Sequence, residues 1–283
     1  MAGMDTLPLV GLPRRLFGVS ASSLGAWQDC PRRYRFAYVD RPAPPRGGAF
    51  GHSSLGASVH NALREWWLAP RGRRTPEAAA THVDLTWIPD GYRDEAQSET
   101  WRSRAREWVT RYVTGLDPDD EPRAVERNFA APYRDTQLKG RVDRLDDRDG
   151  ELVVVDYKTG RRGVTADEAR GSWALAIYAY AAERTLRRPC RRVELHDVRT
   201  GEVVAHEFDV ESLRRQLDRI DAAAEDVRLA VEGAAEGGVV ASLFPARPSP
   251  GCAGCDFHRS CPEGRAAAPQ ARRPWYALEA DVG

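Results

Sequence analysis

The first part of the chain has apolar residues at helical spacing. SASSLGAWQDCPRRYRFAYV begins with serines that can cap a helix, Leu24 and Trp27 then lie three residues apart, and Pro31 interrupts or restarts the helix. A link rich in proline and glycine, RPAPPRGGAF, follows it. Apolar residues three and four apart then predict a second helix over about 51–68 and further helical segments near 76–86 and 93–115.

The pattern changes period after residue 120. Alternating and apolar runs predict strands that are joined by turns around Tyr133–Asp135 and at DDRDG. The predicted ranges of this half are strands at 123–132, 136–146 and ELVVVDYK, a helix at 165–186, strands at 191–199 and 202–208, and a helix at 209–232. The order of elements is therefore helices, three strands, a helix, two strands and a long helix.

The composition is that of an ordinary globular protein. Of the 283 residues, 42% are apolar and 30% are charged, which suits a hydrophobic core and argues against extensive disorder. No apolar run approaches the roughly 20 residues of a transmembrane helix, and the N-terminus lacks the apolar core of a secretory signal. Five cysteines are an odd number in such a chain, so a disulfide framework is not expected. We therefore expect a cytoplasmic protein with no membrane partner.

The charge balance limits how the chain can bind nucleic acid. It has 42 basic and 42 acidic side chains, which excludes binding through bulk positive charge alone but allows a local basic groove. Only two of the basic residues are lysines, Lys139 and Lys158. In a chain that otherwise uses arginine, a lysine indicates a position that needs a compact cation with a tunable pKa, and chance is the alternative explanation.

Two acidic motifs lie on consecutive predicted strands. Asp143 is in GRVDR, and Asp156 and Lys158 end the next strand in VVVDYK. The turn between these strands predicts antiparallel pairing, so the two carboxylates can converge on one Mg²⁺ or Mn²⁺ ion. A lysine on the same face can act on a water or offset charge on a phosphate. An isolated D-x-K pattern more often marks a solvated strand end, but the apolar run before Asp156 does not favour that alternative.

These motifs resemble the RecB-type branch of the PD-(D/E)xK nuclease superfamily. The resemblance covers G-R-V-D-R, the charged turn and V-V-D-Y-K-T-G, and it extends upstream to G-H-S-S-L-G-A-S-V-H-N-A-L. Taken alone, His60 of that helix is more simply explained as a hydrogen-bonded helical residue. Together with the other motifs, it is expected to be a metal ligand. The site residues that the resemblance implies are the metal ligands His60, Asp143, Asp156 and Tyr157, the catalytic lysine Lys158, and Glu126 as a supporting acidic group.

The helix after the third strand departs from the family pattern. The family has Q-L-x-x-Y there, whereas this chain has A-L-A-I-Y, with Ala174 in place of the glutamine and Tyr178 retained. That glutamine helps to place DNA or the active-site residues, so we expect substrate handling to differ. Tyr178 is assigned to DNA binding, and a core aromatic is its alternative role. Arg161 and Arg162, just after Lys158, are the basic residues best placed to bind DNA phosphates.

The cysteines form a second constellation. The C-terminal segment has C-x2-C-x5-C, and a further cysteine lies 222 residues upstream. Such thiolates hold zinc or an iron–sulfur cluster. Some members of the same nuclease branch have this arrangement around a [4Fe–4S] cluster, so the resemblance implies a cluster on Cys30, Cys252, Cys255 and Cys261. The alternative is zinc bound by the last three of these cysteines and His258. Cys190 has no such partners and is expected to be a bystander thiol.

The resemblance covers residues 20–263 and implies an α/β fold. The expected architecture is a mixed central sheet of the restriction-endonuclease type with flanking helices and an Fe–S knot that joins the two ends of the chain. Residues 1–18 are expected to be a flexible lead-in, and 19–263 a single nuclease domain with a helical insertion at about 51–117 and an Fe–S segment at 243–263. Residues 264–283 are expected to be a disordered tail.

The function implied is a DNA exonuclease that uses Mg²⁺ or Mn²⁺ and acts on DNA ends, preferentially single-stranded ones, in repair or recombination. A CRISPR-associated nuclease that trims spacer precursors shares every motif. A non-catalytic DNA-binding or scaffold subunit of a helicase–nuclease complex is the alternative from another class, and Ala174 is its support. The chain lacks a P-loop motif, so any helicase activity would come from a partner.

Overall fold

Six strands form one mixed sheet in the computed structural model of the protein, which describes residues 16–281. Neighbouring strands follow the order β1-β3-β4-β5-β6, and β2 pairs with β3. The strands are β1 (Phe17–Val19), β2 (Ala124–Tyr133), β3 (Thr136–Arg148), β4 (Glu151–Lys158), β5 (Arg192–Asp197) and β6 (Val203–Glu207). The mixed α/β fold with a central mixed sheet confirms the predicted fold class.

The long strand β3 organises the sheet. Its whole first part pairs with β2 on one edge, while its other edge pairs with β1 at residues 136–138 and with β4 at residues 144–148. Residues 139–143 of β3 pair with neither β1 nor β4, so the sheet forks between these two strands. This fork in the sheet is where the predicted acidic residues lie.

Ten α-helices lie within the described range. They are α1 (Ala21–Asp29), α2 (Pro31–Tyr34), α3 (Gly51–Leu68), α4 (Pro76–Leu85), α5 (Glu95–Thr114), α6 (Ala166–Gly171), α7 (Trp173–Leu186), α8 (Val210–Ala235), α9 (Val240–Leu243) and α10 (Pro262–Ala267). None of the helices in this range combines the length and apolar character that a membrane-spanning segment needs.

Each face of the sheet packs against its own hydrophobic core. Leu152 and Val154 of β4 face the core beneath α1, α7 and α8, whereas Val153, Val155 and Tyr157 face the core formed with α3, α4 and α5. Successive side chains of a strand point to opposite faces, so a strand covered on both sides is apolar throughout. This double burial explains why β4 reads as the continuous run VVV.

The helix after β4 and the N-terminal segment differ from the predicted elements. The helix expected at 165–186 is two helices, because the side chain of Ser172 accepts a hydrogen bond from the backbone N–H of Leu175 and begins α7 anew. Residues 1–15 of the expected lead-in lie outside the described range, and Phe17–Val19 form β1 instead of a flexible segment. Three residues are too few for a periodic signal, so β1 is defined by its parallel pairing with β3.

The C-terminal segment also differs from the disorder predicted for it. After α10, the carbonyl of Pro274 accepts a hydrogen bond from the backbone N–H of Gly51 at 3.0 Å. Leu278 is 3% exposed and belongs to the core of α3, α4 and α5. A Cβ at Gly51 would lie 2.7 Å from both Leu278 and the carbonyl of Gly91, so the close approach of these segments requires glycine.

Candidate active site

Three carboxylates lie in one row across β2, β3 and β4. The register of β3 with β4 ends at the pair Arg144–Val155, and Asp143 and Asp156 are the next residues of the two strands. In the register of β2 with β3, Glu126 lies across from Asp143. The row therefore brings together residues from three strands where the sheet forks.

The direction in which the strands point their side chains changes at this row. Val142 and Leu145 of β3 face the same core, although their separation is odd and a regular strand would direct them to opposite faces. Glu126 of the neighbouring strand has a φ of +49°, a conformation that costs a non-glycine residue on the order of 1–3 kcal/mol. The local twist at this point aims the carboxylates of Glu126 and Asp143 into one space.

His60 reaches the row from α3. Its Nδ1 lies 3.5 Å from Oδ2 of Asp143 and 3.7 Å from Oε1 of Glu126. Among residues 16–281, these three side chains form the one group in which at least three potential ligand atoms lie within 4.8 Å of one another. Burial lowers the pKa of His60, but hydrogen bonds to Asp143 and Glu126 outweigh this and raise the pKa to about 10. Without a metal ion, His60 is therefore an imidazolium paired with two carboxylates.

Asp156 is paired with Lys158 rather than with this group. Nζ of Lys158 lies 2.5 Å from Oδ2 of Asp156. Because Asp156 is 8% exposed, burial raises the pKa of its carboxyl group; Lys158 opposes this shift and the charge of Asp143 adds to it. Burial lowers the pKa of Lys158, but the charge and hydrogen bond of Asp156 raise it by more. The net shift of the pKa is upward, so Lys158 is an ammonium.

Tyr157 contributes its backbone to the site and directs its ring elsewhere. Its N–H donates to Oδ2 of Asp143 at 2.9 Å, which orients that carboxylate. Its buried hydroxyl accepts from Nε1 of Trp67 at 3.1 Å on the other face of the sheet. Strand alternation places that side chain opposite Asp156 and Lys158, so only the backbone of Tyr157 faces the site, and its assignment as a metal ligand stays a prediction.

Arg141 is a site residue that the sequence interpretation missed. Its Nε lies 2.5 Å from Oε2 of Glu126, and its side chain is exposed. Arg141 is two residues before Asp143 in GRVDR, a spacing that could have indicated it, but the arginine-rich composition hid the signal.

Tyr178 and Gly140 fit together next to the row. The ring of Tyr178 packs on Gly140 so closely that a Cβ there would clash with it. Burial raises the pKa of the Tyr178 hydroxyl, and Asp156, Asp143 and Glu126 raise it further. The structure thus brings Tyr178 into the field of the carboxylate row. Ala174 lies one helical turn earlier on α7, so the position that the family fills with glutamine carries a methyl group.

Arg161 and Arg162 lie in the exposed segment that follows β4. The carbonyl of Arg161 accepts from Nη2 of Arg199 at 2.9 Å, which holds the segment to the turn after β5. Both residues are exposed, and Arg161 also lines a cavity with His52 and Arg199.

The four cysteines of the C-x2-C-x5-C segment and of the α1–α2 junction line one cavity of about 290 Å³. All are free thiols, and backbone N–H groups donate to their sulfur atoms: Arg247 to Cys30 and Ser249 to Cys252 at 3.4 Å, and Gly264 to Cys261 at 3.3 Å. A backbone hydrogen bond from Phe257 lowers the pKa of Cys255, although burial raises it on balance. Residues at the two ends of the nuclease-like sequence thus meet around this cavity.

The histidine of the zinc alternative and the fifth cysteine are both buried. Nε2 of His258 is 2.7 Å from the carbonyl oxygen of Ala268, so that nitrogen is engaged in a buried hydrogen bond. Cys190 lies in the core, and burial raises the pKa of its thiol to about 12, as suits an inert residue.

Comparisons with known proteins found similarity over most of the chain. The model of the PD-(D/E)XK nuclease superfamily matches residues 18–262. The Gene 69 protein of Mycobacterium phage D29 is 25% identical over 279 residues, which cover 86% of this chain and 96% of that protein. Among solved structures, an exonuclease candidate from Eubacterium rectale is similar with a TM-score of 0.46 at 8% identity, covering 82% of this chain and 88% of that one.

Proposed function

This chain belongs to the PD-(D/E)XK nuclease superfamily, and on that premise we propose that it is a metal-dependent DNA exonuclease of the RecB type. The observation that carries the proposal is the row of Glu126, Asp143 and Asp156 at the fork of the sheet, with Lys158 at one end. Three carboxylates in one partly buried space are costly to keep together unless a cation or protonated groups compensate them. In the absence of an ion, His60 and Lys158 supply that compensation.

The donor set fits Mg²⁺ or Mn²⁺. Carboxylate oxygens are the preferred ligands of these hard ions, and an imidazole nitrogen is compatible with Mn²⁺. We assign His60, Asp143 and Asp156 as ligands and Glu126 as a supporting one. When bound, the ion supplies positive charge that polarises the scissile phosphate and makes a nearby water more acidic.

The protein's own residues have distinct roles in this proposal. The ammonium of Lys158 is placed to donate to the water or to a phosphate oxygen on which charge develops in the transition state. Asp156 holds Lys158 at 2.5 Å, and the N–H of Tyr157 holds Asp143, so both charged groups are oriented before substrate binds. Arg161 and Arg162 are assigned to phosphate contacts that position the strand without reading its sequence. Tyr178, beside the row, is assigned to the DNA backbone.

The assignment to DNA ends and to the RecB type rests on two features beyond the carboxylate row. One is helix α3, which carries His60, and the other is the set of four cysteines. The proposed [4Fe–4S] cluster on Cys30, Cys252, Cys255 and Cys261 is supported by their common cavity and by backbone N–H groups that donate to three of the sulfur atoms. The cluster has a structural role, since no redox partner motif accompanies it, and we propose DNA repair or recombination as the pathway, with a helicase as a partner.

A non-catalytic DNA-binding subunit is the second candidate, because Ala174 removes a polar group of the family pattern. The intact row, His60 and Lys158 favour the enzyme.

The test is a nuclease assay on end-labelled linear DNA, single- and double-stranded, beside covalently closed circles. We expect linear substrates to be shortened from an end only when Mg²⁺ or Mn²⁺ is present, circles to resist, and Lys158→Ala to be inactive. Cleavage of circles would replace the exonuclease assignment with an endonuclease. If wild type and Lys158→Ala are equally inactive on every substrate while DNA still binds, the protein is the non-catalytic subunit.

A further inference from the structure

The guanidinium of Arg141 lies beside the carboxylate row, on the strand that also carries Asp143. Its Nε is 2.5 Å from Oε2 of Glu126, and the Arg141 side chain is 53% exposed. The other oxygen of Glu126 lies 3.7 Å from Nδ1 of His60, and the same nitrogen lies 3.5 Å from Oδ2 of Asp143. Arg141 is therefore connected to the assigned metal ligands through a single carboxylate.

The contact with Glu126 uses only part of the guanidinium. Arginine has five N–H donors, of which one is on Nε and four are on Nη1 and Nη2. Because Arg141 meets Glu126 through Nε, the donors on its two Nη atoms are not committed to that ion pair. A planar fork of this kind is suited to bind two oxygens of one phosphate group.

Glu126 holds this fork in place. Arg141 pairs directly with Asn128 across β2 and β3, so Glu126 is its diagonal neighbour, a separation that long side chains span. The side chain of Glu126 is 9% exposed, and its positive φ is part of the local twist that aims the carboxylate at the row. A nearly buried anion thus orients an exposed cation before any ligand arrives, which lowers the entropy cost of a later contact.

The charge of the site shows what Arg141 adds. The three carboxylates of the row face three cations, which are protonated His60, Lys158 and Arg141. A divalent ion that displaces the proton of His60 leaves one excess positive charge, and without Arg141 there would be none. A phosphodiester carries one negative charge, and further charge develops on its oxygens as water attacks the phosphorus. Arg141 therefore makes the site complementary to the reacting phosphate instead of merely neutral.

We propose that Arg141 is a catalytic residue of this nuclease: its Nη groups donate to the non-bridging oxygens of the phosphate that is cut, and Glu126 orients it for that contact. The inference rests on the proposed function, because it requires a phosphate beside the carboxylate row. Two residues along a strand span about 7 Å, so a phosphate next to Asp143 lies within reach of the long Arg141 side chain.

Two arginine substitutions in the full-length protein test this role. Arg141→Gln removes the guanidinium and keeps a polar side chain. The matched control is Arg127→Gln, which removes an exposed arginine from the neighbouring strand, where the guanidinium lies 5.5 Å from the centroid of the Phe129 ring. Steady-state kinetics on end-labelled linear DNA measure kcat and KM, titrations in metal-free buffer measure the Kd for DNA, and calorimetry without DNA measures the Kd for Mn²⁺.

We expect Arg141→Gln to lower kcat roughly ten- to hundredfold, as the loss of one donor to the transition state does. The Kd for DNA should change by less than about threefold, because other phosphate contacts remain. The affinity for Mn²⁺ should be unchanged or up to about tenfold higher, since a positive charge near the ion is removed. Arg127→Gln should leave both kcat and the affinity for Mn²⁺ unchanged.

Three results would overturn the proposal. A kcat of Arg141→Gln equal to that of wild type would exclude a role in the reaction. A weaker Kd for DNA with an unchanged kcat at saturation would make Arg141 a binding residue only. Parallel losses of kcat and of affinity for Mn²⁺ would mean that Arg141 only holds Glu126 in place for the metal.

Two further variants keep the test decisive if Arg141→Gln does not fold. Arg141→Lys keeps the charge and the pairing with Glu126 but lacks the fork, so its kcat should still be below that of wild type. A fully active Arg141→Lys would contradict the contact through two Nη groups. In Arg141→Ala, added guanidinium ion should restore part of kcat, whereas Lys158→Ala should not respond to it.

Failure of the proposed function gives a different result. The ester bis(p-nitrophenyl) phosphate is a phosphodiester without a base, and its hydrolysis should require both Lys158 and Arg141. If wild type hydrolyses neither this ester nor DNA, the nuclease itself is contradicted, and the role of Arg141 with it. If wild type and Arg141→Gln hydrolyse both at the same rate, only the role of Arg141 is contradicted.

Discussion

At the scale of single residues, Lys158 and Lys139 occupy very different surroundings. Lys158 ends a buried strand with its ammonium on Asp156, whereas Lys139 is exposed on β3. The other basic residues of the chain are arginines. Replacing each of the two lysines by arginine therefore tests whether position 158 requires lysine or carries it by chance.

Lys158→Ala should lower kcat by roughly a hundredfold or more while DNA affinity changes little, because the ammonium acts on charge that develops in the transition state. Lys158→Arg should not restore activity, since the guanidinium is broader and does not give up a proton. Lys139→Arg is the matched control and should be fully active. Steady-state kinetics and DNA titrations measure both quantities; a fully active Lys158→Arg would contradict the role assigned to this lysine.

His60 links metal affinity to pH. Its pKa is about 10 without metal, and a metal ligand must be neutral, so binding of the ion displaces a proton. The apparent affinity for Mn²⁺ should therefore rise about tenfold per pH unit between pH 7 and pH 9. Calorimetry in buffers of different ionisation enthalpy counts the protons released. His60→Gln should bind Mn²⁺ more weakly and lose most of this release, whereas a wild-type affinity that does not depend on pH would exclude His60 as a ligand.

The same pKa shift affects the stability of the metal-free protein. The pKa of His60 is raised from its ordinary value of 6.5 to about 10. The ion pairs with Asp143 and Glu126 therefore stabilise the fold fully below pH 6.5, and this contribution is lost as the pH rises towards 10.

At the scale of elements, α7 and β3 meet at Gly140. The ring of Tyr178 occupies the space that a side chain at position 140 would need. This contact fixes α7 against the strand that carries Asp143, three residues further on, and so sets the distance between the helix and the carboxylate row.

Gly140→Ala should lower the free energy of unfolding by about 1–3 kcal/mol, because the added methyl group overpacks a rigid contact. It should also reduce activity by displacing Tyr178 or β3. The double variant Gly140→Ala/Tyr178→Leu should lose less stability than the sum of the two single changes, because the smaller side chain makes room. Urea denaturation measures the three values; strict additivity would show that the two residues do not constrain each other.

At the scale of the whole molecule, the cysteine cavity joins segments 222 residues apart in the chain. Arg247 strengthens this junction, because its guanidinium also donates to the carbonyl of Gln28. A cluster that bridges Cys30 and the C-terminal cysteines would close a long loop, and closing such a loop removes conformational entropy from the unfolded chain.

Protein purified without oxygen should be brown and contain iron and sulfide in equal amounts. Cys30→Ala should bleach it and lower the thermal midpoint, because one ligand and the closed loop are both lost. Cys190→Ala is the matched control: this thiol is buried away from the cavity, so the colour should remain. Colourless wild-type protein with stoichiometric zinc would contradict the cluster.

The sequence by itself determined most of the elements and the acidic motifs of the candidate site. The apolar run of β4, the Ser20 cap of α1 and the periodic face of α3 are local features, because side-chain period and capping depend on neighbours within a few residues. His60, Asp143, Asp156 and Lys158 were recognisable because each belongs to a short motif on such an element. The α/β fold followed from the family that those motifs indicate.

Only the tertiary structure decided how these side chains face one another. The change of side-chain direction in β2 and β3 at Glu126 brings that residue next to Asp143. No periodic sequence pattern predicts a single residue with positive φ inside a strand. The opposite face of β4 takes the ring of Tyr157, and the C-terminal segment covers α3, because these positions are set by contacts between residues far apart in sequence.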